Sequence, residues 1–265
     1  MLMVVPGKGW RIVHFLLVND DGFESEELRV LCRAAASRGH RVTVAAPATQ
    51  QSGTSHCFTI LRPLTVHRME MEGACAAWQV EGTPVDCTRL GLHALAEYPV
   101  DLVISGINQG FNTGLTTYLS GTVGAAREAA FDMGRALAVS TEINAPRDML
   151  EFTADYAVRL AEKIVTSDVP GQSVCNLNTP GCHADELKGV RVCGLCHLMY
   201  KDGYERIVGP RGQITYWLKP MEYQWDLEKE PESDLALLLK NWASVTFLSP
   251  EPCDQTRWLD FPPAP

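Results

Sequence analysis

The sequence has no cluster of lysine and arginine: its 265 residues hold 23 basic against 32 acidic side chains, a formal net charge of −9. A general affinity for duplex nucleic acid, which needs basic side chains gathered against backbone phosphates, is therefore not expected. Long apolar runs are also missing. Residues 1–12 hold one short apolar piece broken by Pro6 and Gly7, which fits neither a secretory signal nor a membrane span and reads as a loose leader. Cysteine is present nine times, but the number is odd and the spacing follows no framework, so free thiols in a reducing cytoplasm are expected. No internal repeat is found. Nor does Gly-x-Gly-x-x-Gly come after the first apolar strand, so a dinucleotide-binding turn is not indicated.

Instead, the apolar run Phe15-Leu16-Leu17-Val18 leads directly into Asn19-Asp20-Asp21-Gly22. A buried parallel strand delivers polar groups to one end of a sheet in this way. Two adjacent acids repel and raise one another's pKa, so a positive partner between them is favoured, and a divalent cation held by oxygen supplies one. The alternative duty of Asp20 and Asp21 is to cap the helix that begins near Ser25.

Residues 25–37 place Leu28, Leu31, Cys32 and Ala35 on one face, with acids early, arginines later and Gly39 after, which predicts a helix. A strand at 41–46 comes next, so strand, helix and strand form a right-handed parallel crossover. The polar loop 48–56 then leaves the same sheet end as Asp20 and Asp21. Residues 57–80 read as a small antiparallel excursion with weak strands at 58–61, 64–67 and 78–80. Thr83-Pro84-Val85-Asp86 reads as a helix start with Thr83 as N-cap. A third parallel strand at 102–105 runs into a glycine-rich loop, and Ser120-Gly121-Thr122 opens a helix that stops near Gly134. A strand at 136–140, a helix at 149–164 and a strand at 174–177 complete a core over 13–180. Beyond Pro180 the alternation fades. Strands at 189–192, 214–218 and 243–248 read as arms and hairpins over 181–258, which a single subunit buries poorly and which suit subunit contacts. Residues 259–265 are a Pro-rich tail.

In an open parallel sheet, ligands sit beyond the carboxyl ends of the strands where strand order reverses. Three loops there carry oxygen donors: Asp20 with Asp21, Ser52, and Asn108. Together they suit Mg²⁺, Mn²⁺ or Ca²⁺ and suit structural zinc poorly. Taken singly, Ser52 and Asn108 are also ordinary turn residues that bond their own backbone. Ser120-Gly121-Thr122 offers free amides and two hydroxyls, the equipment for a phosphate, or a plain N-cap. A metal site across from a phosphate site points to phosphate-ester hydrolysis, in which the ion polarises the phosphoryl group and lowers the pKa of a bound water.

Val18-Asn19-Asp20-Asp21-Gly22, Ser52-Gly53-Thr54-Ser55, Gly82-Thr83-Pro84-Val85-Asp86-Cys87, Ser105-Gly106-Ile107-Asn108-Gln109-Gly110 with Asn112, Ser120-Gly121-Thr122-Val123 and Asn176-Leu177-Asn178-Thr179-Pro180 together resemble the SurE family of metal-dependent nucleotidases. The resemblance covers nearly the whole chain after the leader. It implies an α/β fold: a Rossmann-like three-layer core with a mainly parallel sheet, plus C-terminal strand and hairpin arms exchanged in homodimers and homotetramers. It implies hydrolysis of nucleoside monophosphates to nucleoside and phosphate, as a 5'-nucleotidase extending to 3'-nucleotidase and short-chain exopolyphosphatase activity. The positions implied for the ion, Mg²⁺ or Mn²⁺, are Asp20, Asp21, Ser52 and Asn108, with Asp20 and Asp21 also catalytic. Asn19, Asn112, Ser120, Gly121 and Thr122 are assigned to the phosphate or substrate. Two departures bear on substrate preference: Leu115-Thr116-Thr117 stands where many members carry acids, and Gln51 where a basic residue often precedes the serine.

Rival chemistries are less well equipped. Cys193-Gly194-Leu195-Cys196-His197 matches the c-type haem attachment pattern and hints at redox or zinc chemistry, against a strand and turn with packed thiols. A haloacid-dehalogenase phosphatase needs a second Asp that Asp20-Asp21-Gly22-Phe23 lacks. A receiver module needs an acceptor Asp that Leu102-Val103-Ile104-Ser105-Gly106 lacks. The remaining alternative to the enzyme is a non-catalytic module that binds a metal and a nucleotide or phosphate.

Overall fold

The computed structural model describes residues 12–167, 172–197, 199–201, 203–219, 222–224 and 229–249. The expected leader up to residue 11 and the Pro-rich tail lie outside them. The chain runs β1 (His14–Val18), α1 (Glu26–Ser37), β2 (Arg41–Pro47), β3 (Val66–Met69), β4 (Ala76–Val80), α2 (Pro84–Leu90), β5 (Leu102–Gln109), α3 (Gly121–Met133), β6 (Arg135–Thr141), α4 (Arg147–Thr166), β7 (Ser173–Thr179), β8 (Val190–Val192), β9 (Met199–Lys201), β10 (Tyr204–Val208), β11 (Ile214–Leu218), β12 (Glu222–Gln224), α5 (Asp234–Leu238) and β13 (Ala243–Leu248).

β1 is buried at every position because the sheet is covered on both faces. Phe15 and Leu17 point to one face, where Leu28 and Leu31 of α1 and Ala154, Ala157 and Val158 of α4 pack on them. Leu16 and Val18 point to the other, against Cys87 of α2 and the small residues Ala125, Ala126 and Ala129 of α3. This period-two division makes three layers, and each large apolar side chain so buried contributes about 1.5–3 kcal/mol. The helices begin where their caps predict. Ser25 Oγ accepts from Leu28 N at 3.1 Å, and Ser120 Oγ accepts from Val123 N at 3.1 Å. Thr83 and Asp86 form a reciprocal capping box.

The main sheet has nine strands in the order β3, β4, β2, β1, β5, β6, β7, β13, β8. From β4 through β7 every neighbour is parallel. β1 leads outward to β2, whereas β5, β6 and β7 build away on its other side, so strand order reverses between β1 and β5. The α/β expectation is met, and the crevice predicted for ligands lies beyond these two carboxyl ends.

Four local expectations differ from the structure. Residues 58–61 form no strand: Thr59 instead donates its N–H and Oγ1–H to Asp86 at 2.8 and 2.7 Å, which pins the segment to the start of α2. β4 is no part of a separate antiparallel excursion, since it pairs parallel with β2 inside the main sheet, and only β3 is antiparallel to it. The strand expected at 102–105 continues to Gln109 through a register shift between Ser105 and Asn108. Finally, Ala243–Leu248, read as part of the arms, lies between β7 and β8 in the main sheet. The pairs β10 with β11 and β9 with β12 stand apart from that sheet as two-stranded antiparallel units. Among the described residues no helix is long and apolar enough to cross a membrane.

Candidate active site

The turn after β1 is built by Asn19. Its Oδ1 accepts from Gly22 N at 3.2 Å, while Nδ2 donates to Gly22 O at 2.9 Å and to Ser25 Oγ at 3.2 Å. Asn19, expected at the substrate, is thus fully engaged inside the turn and positions the two acids after it. Gly22 closes the turn at φ +102°, a conformation favouring glycine.

Asp20 is 3% exposed, and its Oδ1 accepts a short hydrogen bond from the Thr122 hydroxyl. Burial pushes its carboxyl up from 3.8 to about 6; the Thr122 bond pulls against this and the Asp21 charge adds to it. Asp21 is half-buried and accepts from Gln109 N at 3.2 Å and Gln50 Nε2 at 3.4 Å. Burial raises its pKa as well, the Gln109 N–H opposes the rise, and the nearby Glu27 charge reinforces it. Among the described residues neither acid is paired with Lys or Arg. Two crowded carboxylates without a basic partner fit a divalent cation, for which oxygen is the preferred donor.

The loop that carries Ser52 and the end of β5 that carries Asn108 both meet the turn that carries this acid pair. Gln51 N–H donates to the Asp20 carbonyl at 2.7 Å, which ties the 48–56 loop to β1 one residue before Ser52. Asn108 immediately precedes Gln109, whose N–H meets Asp21, and its own Nδ2 donates to Gly110 O at 2.7 Å. That bond uses the amide's donor side and leaves Oδ1 as its acceptor. Gly106 makes this possible: its φ is +132°, and a Cβ there would lie 2.2 Å from Val139 O. Among the described residues no three His, Cys, Asp or Glu side chains group as a metal site. Cation binding by the acid pair therefore calls on hydroxyl and amide oxygens such as these.

The start of α3 abuts Asp20. A Cβ on Gly121 would lie 3.1 Å from Asp20 Cβ and 3.0 Å from Thr54 Oγ1. The Thr122 hydroxyl, assigned to substrate from the motif, is committed to Asp20. Ser120 Oγ accepts the Val123 N–H but keeps its own proton to donate. Asn112 is buried, its Nδ2 donating to Ser140 Oγ at 2.8 Å. Its main chain is gripped by β7: Asn112 N donates to Asn178 Oδ1 at 2.9 Å, and Asn112 O accepts from Asn176 and Asn178 Nδ2 at 3.0 and 3.1 Å. A cleft of about 500 Å³ opens beside Asp21, lined also by Ser25, Glu26, Glu27, Gln50 and Gln109. Gln109 was missed by motif reasoning. It links the acid pair to Glu27, whose Oε1 accepts from its Nε2 at 2.6 Å.

The other signals sit elsewhere. His197 Nδ1 lies 2.6 Å from Glu230 Oε1, Cys196 is buried, and burial pushes the Cys193 thiol up to about 12, as in a packed protonated thiol. His56 is 2.8 Å from Glu128 and stacks on Phe131.

Residues 15–202 match the family model described as Survival protein SurE. The 5'-nucleotidase SurE of Prochlorococcus marinus (strain MIT 9303) is 37% identical over 246 residues, which is 90% of this chain and 91% of the relative. That of Nitratidesulfovibrio vulgaris (strain DP4) is 39% identical over 233 residues, 87% and 90% of the two chains. The crystal structure of the SurE protein from Aquifex aeolicus matches with a TM-score of 0.75 at 32% identity, over 92% of this chain and 96% of that one. With a family model covering most of the chain, relatives at this identity along its length and the same fold in a solved structure, the chain belongs to the SurE family.

Proposed function

We propose that this protein hydrolyses nucleoside monophosphates to nucleoside and phosphate with a divalent cation, Mg²⁺ or Mn²⁺, held by Asp20, Asp21, Ser52 and Asn108. The observation that carries this reading is the acid pair at the reversal of strand order, Asp20 buried against the start of α3 and Asp21 half-buried beside it, matched by no basic side chain among the described residues. When bound there, a divalent cation polarises the phosphoryl group and lowers the pKa of a water. The chain's own residues do the rest. Thr122 fixes one oxygen of Asp20, so Oδ2 remains for the cation or a proton. The Gln109 N–H fixes Asp21. The first amides of α3 and the Ser120 hydroxyl present donors to phosphate oxygens, and Asn112, gripped by β7, keeps the approach loop in place.

The same reading makes the protein a cytoplasmic homodimer or homotetramer. Tyr204, Ile207, Ile214, Tyr216 and Trp217 on the β10 and β11 hairpin are all exposed, which supports cover by another subunit.

Phosphate release from a panel of nucleoside monophosphates, with chelator, Mg²⁺ or Mn²⁺, tests the enzyme. Metal-dependent release that Asp20→Asn abolishes in folded protein is the expected result. Nucleotide binding without turnover on any metal overturns the hydrolase and favours a binding module.

A further inference from the structure

The segment 112–120 connects the two expected phosphate contacts, Asn112 and Ser120, and it is anchored a second time just after β7 takes hold of Asn112. Gly114 N–H donates to Asp234 Oδ2 at 2.9 Å across 120 positions of sequence. Asp234 is 0% exposed, and its Oδ1 accepts from Cys196 N and Leu235 N, both at 2.9 Å. Its own N–H donates to Gly194 O at 3.0 Å. A buried carboxylate without partners is costly, and three main-chain donors supply them. Apolar packing takes the same path, since Cys196 and Leu235 form a small cluster with Phe111. The fit is close: a Cβ on Gly114 would lie 2.6 Å from both the O and the Sγ of Cys196.

Cys196 and Asp234 are also the two feet of the excursion that carries β9 to β12, whose pairings are with one another and not with the main sheet. One carboxylate therefore joins the outgoing foot, the returning foot and the loop that leads to α3.

We propose that Asp234 is a positioning residue for phosphate binding, holding the 112–120 loop in its binding geometry by tying Gly114 to the two feet of the arms. The inference rests on the phosphomonoesterase reading of the site and extends it to a residue outside the site's own loops. Asparagine at 234 keeps one oxygen for Cys196 and Leu235 but turns an amide NH₂ toward the Gly114 N–H. Gly114→Ala leaves the carboxylate intact and instead forces the loop away from Cys196.

The test uses full-length Asp234→Asn and Gly114→Ala, with folding checked by circular dichroism. Calorimetry then reads two dissociation constants, for Mn²⁺ alone and for inorganic phosphate in the presence of Mn²⁺. Both variants should weaken phosphate binding about tenfold, the scale of one lost hydrogen bond, while Mn²⁺ affinity stays within about twofold. A KM for nucleoside monophosphate that rises with the phosphate constant, at nearly unchanged kcat, supports positioning over general damage. Phosphate binding that survives both substitutions overturns the inference alone. Joint loss of Mn²⁺ and phosphate binding, or failure of both variants to fold, overturns it in favour of a purely structural clamp. A natural chain that binds no phosphate at all overturns the phosphatase reading and this inference with it.

Discussion

Replacing Asp20 by asparagine should stabilise the metal-free protein while removing its chemistry. Asp20 is 3% exposed and its carboxyl is raised from 3.8 to about 6. A rise of about 2 pKa units corresponds to about 3 kcal/mol between protonation states, and burial this complete needs no discount for solvent screening. The folded state prefers the protonated acid. Its stabilising contribution is therefore full below pH 3.8 and lost as pH rises through about 6. At pH 7.5 in chelator, Asp20→Asn should unfold about 3 kcal/mol later, roughly 6–10 °C in Tm for a chain of this size. Near pH 4 the gain should shrink toward zero. Mn²⁺ at about 1,000 times its Kd should reverse the order, because it stabilises the natural chain by about 4.1 kcal/mol, more than the variant's lead of about 3 kcal/mol, and the variant has lost a donor. Thermal melts at several pH values, with chelator and with Mn²⁺, decide the matter. Equal stability of the two proteins at pH 7.5 in chelator, or a gain that does not fall with pH, refutes the account of Asp20 as a buried acid awaiting a cation.

Glu162→Gln tests the contact between α4 and the end of α1. Burial alone would raise the Glu162 pKa, but hydrogen bonds from Arg38, at 2.9 and 2.8 Å, and from His40, at 2.7 Å, outweigh it and hold the group below 4.5. Stability from this depressed acid is present above 4.5 and lost as pH falls through the folded value, so urea melts should show a loss of about 1–2 kcal/mol at pH 7 that fades toward pH 3. Gly106→Ala should lower the melting temperature and also abolish stabilisation by Mn²⁺. The new Cβ at 2.2 Å from Val139 O cannot be accommodated without moving β5, and Asn108 moves with it. A cost above about 3 kcal/mol is expected in melts with and without the ion.

The fold was readable wherever neighbouring residues decide the outcome. Ser25, Thr83 and Ser120 cap helices with their own next turn, and Phe15 to Val18 declare a strand buried on both faces. Distance in sequence hid the rest. Nothing local tells that Thr59 prefers Asp86 to a strand partner, or that Ala76–Val80 finds β2 and so becomes an interior strand. The strand at Leu102 looked complete at Ser105 because glycine usually ends a strand, but here Gly106 admits the register shift that carries it to Gln109. Ala243–Leu248 alternates like an edge strand and is interior only because Val190–Val192 covers its far side.

For the site, the legible residues are those whose chemistry contradicts their surroundings. Asp20, Asp21 and Asn108 are polar groups at the ends of apolar strands, so they stand out without any partner in view. Their supports do not stand out, because each looks like an ordinary structural residue. Thr122 resembles the third residue of a helix start, yet its hydroxyl meets an acid 102 positions earlier. Asp234 resembles a first-turn acid of a short helix, yet its carboxylate holds Gly114 and Cys196 together. Local roles and distant roles here use the same side-chain chemistry, and only the assembled sheet selects between them. A motif therefore locates where charge is concentrated, whereas the groups that fix its geometry lie on whatever segments the topology brings against it. That is why Asp234, which no motif marks and which lies 120 positions from Gly114, was visible as a support of the 112–120 loop only once the two were seen bonded.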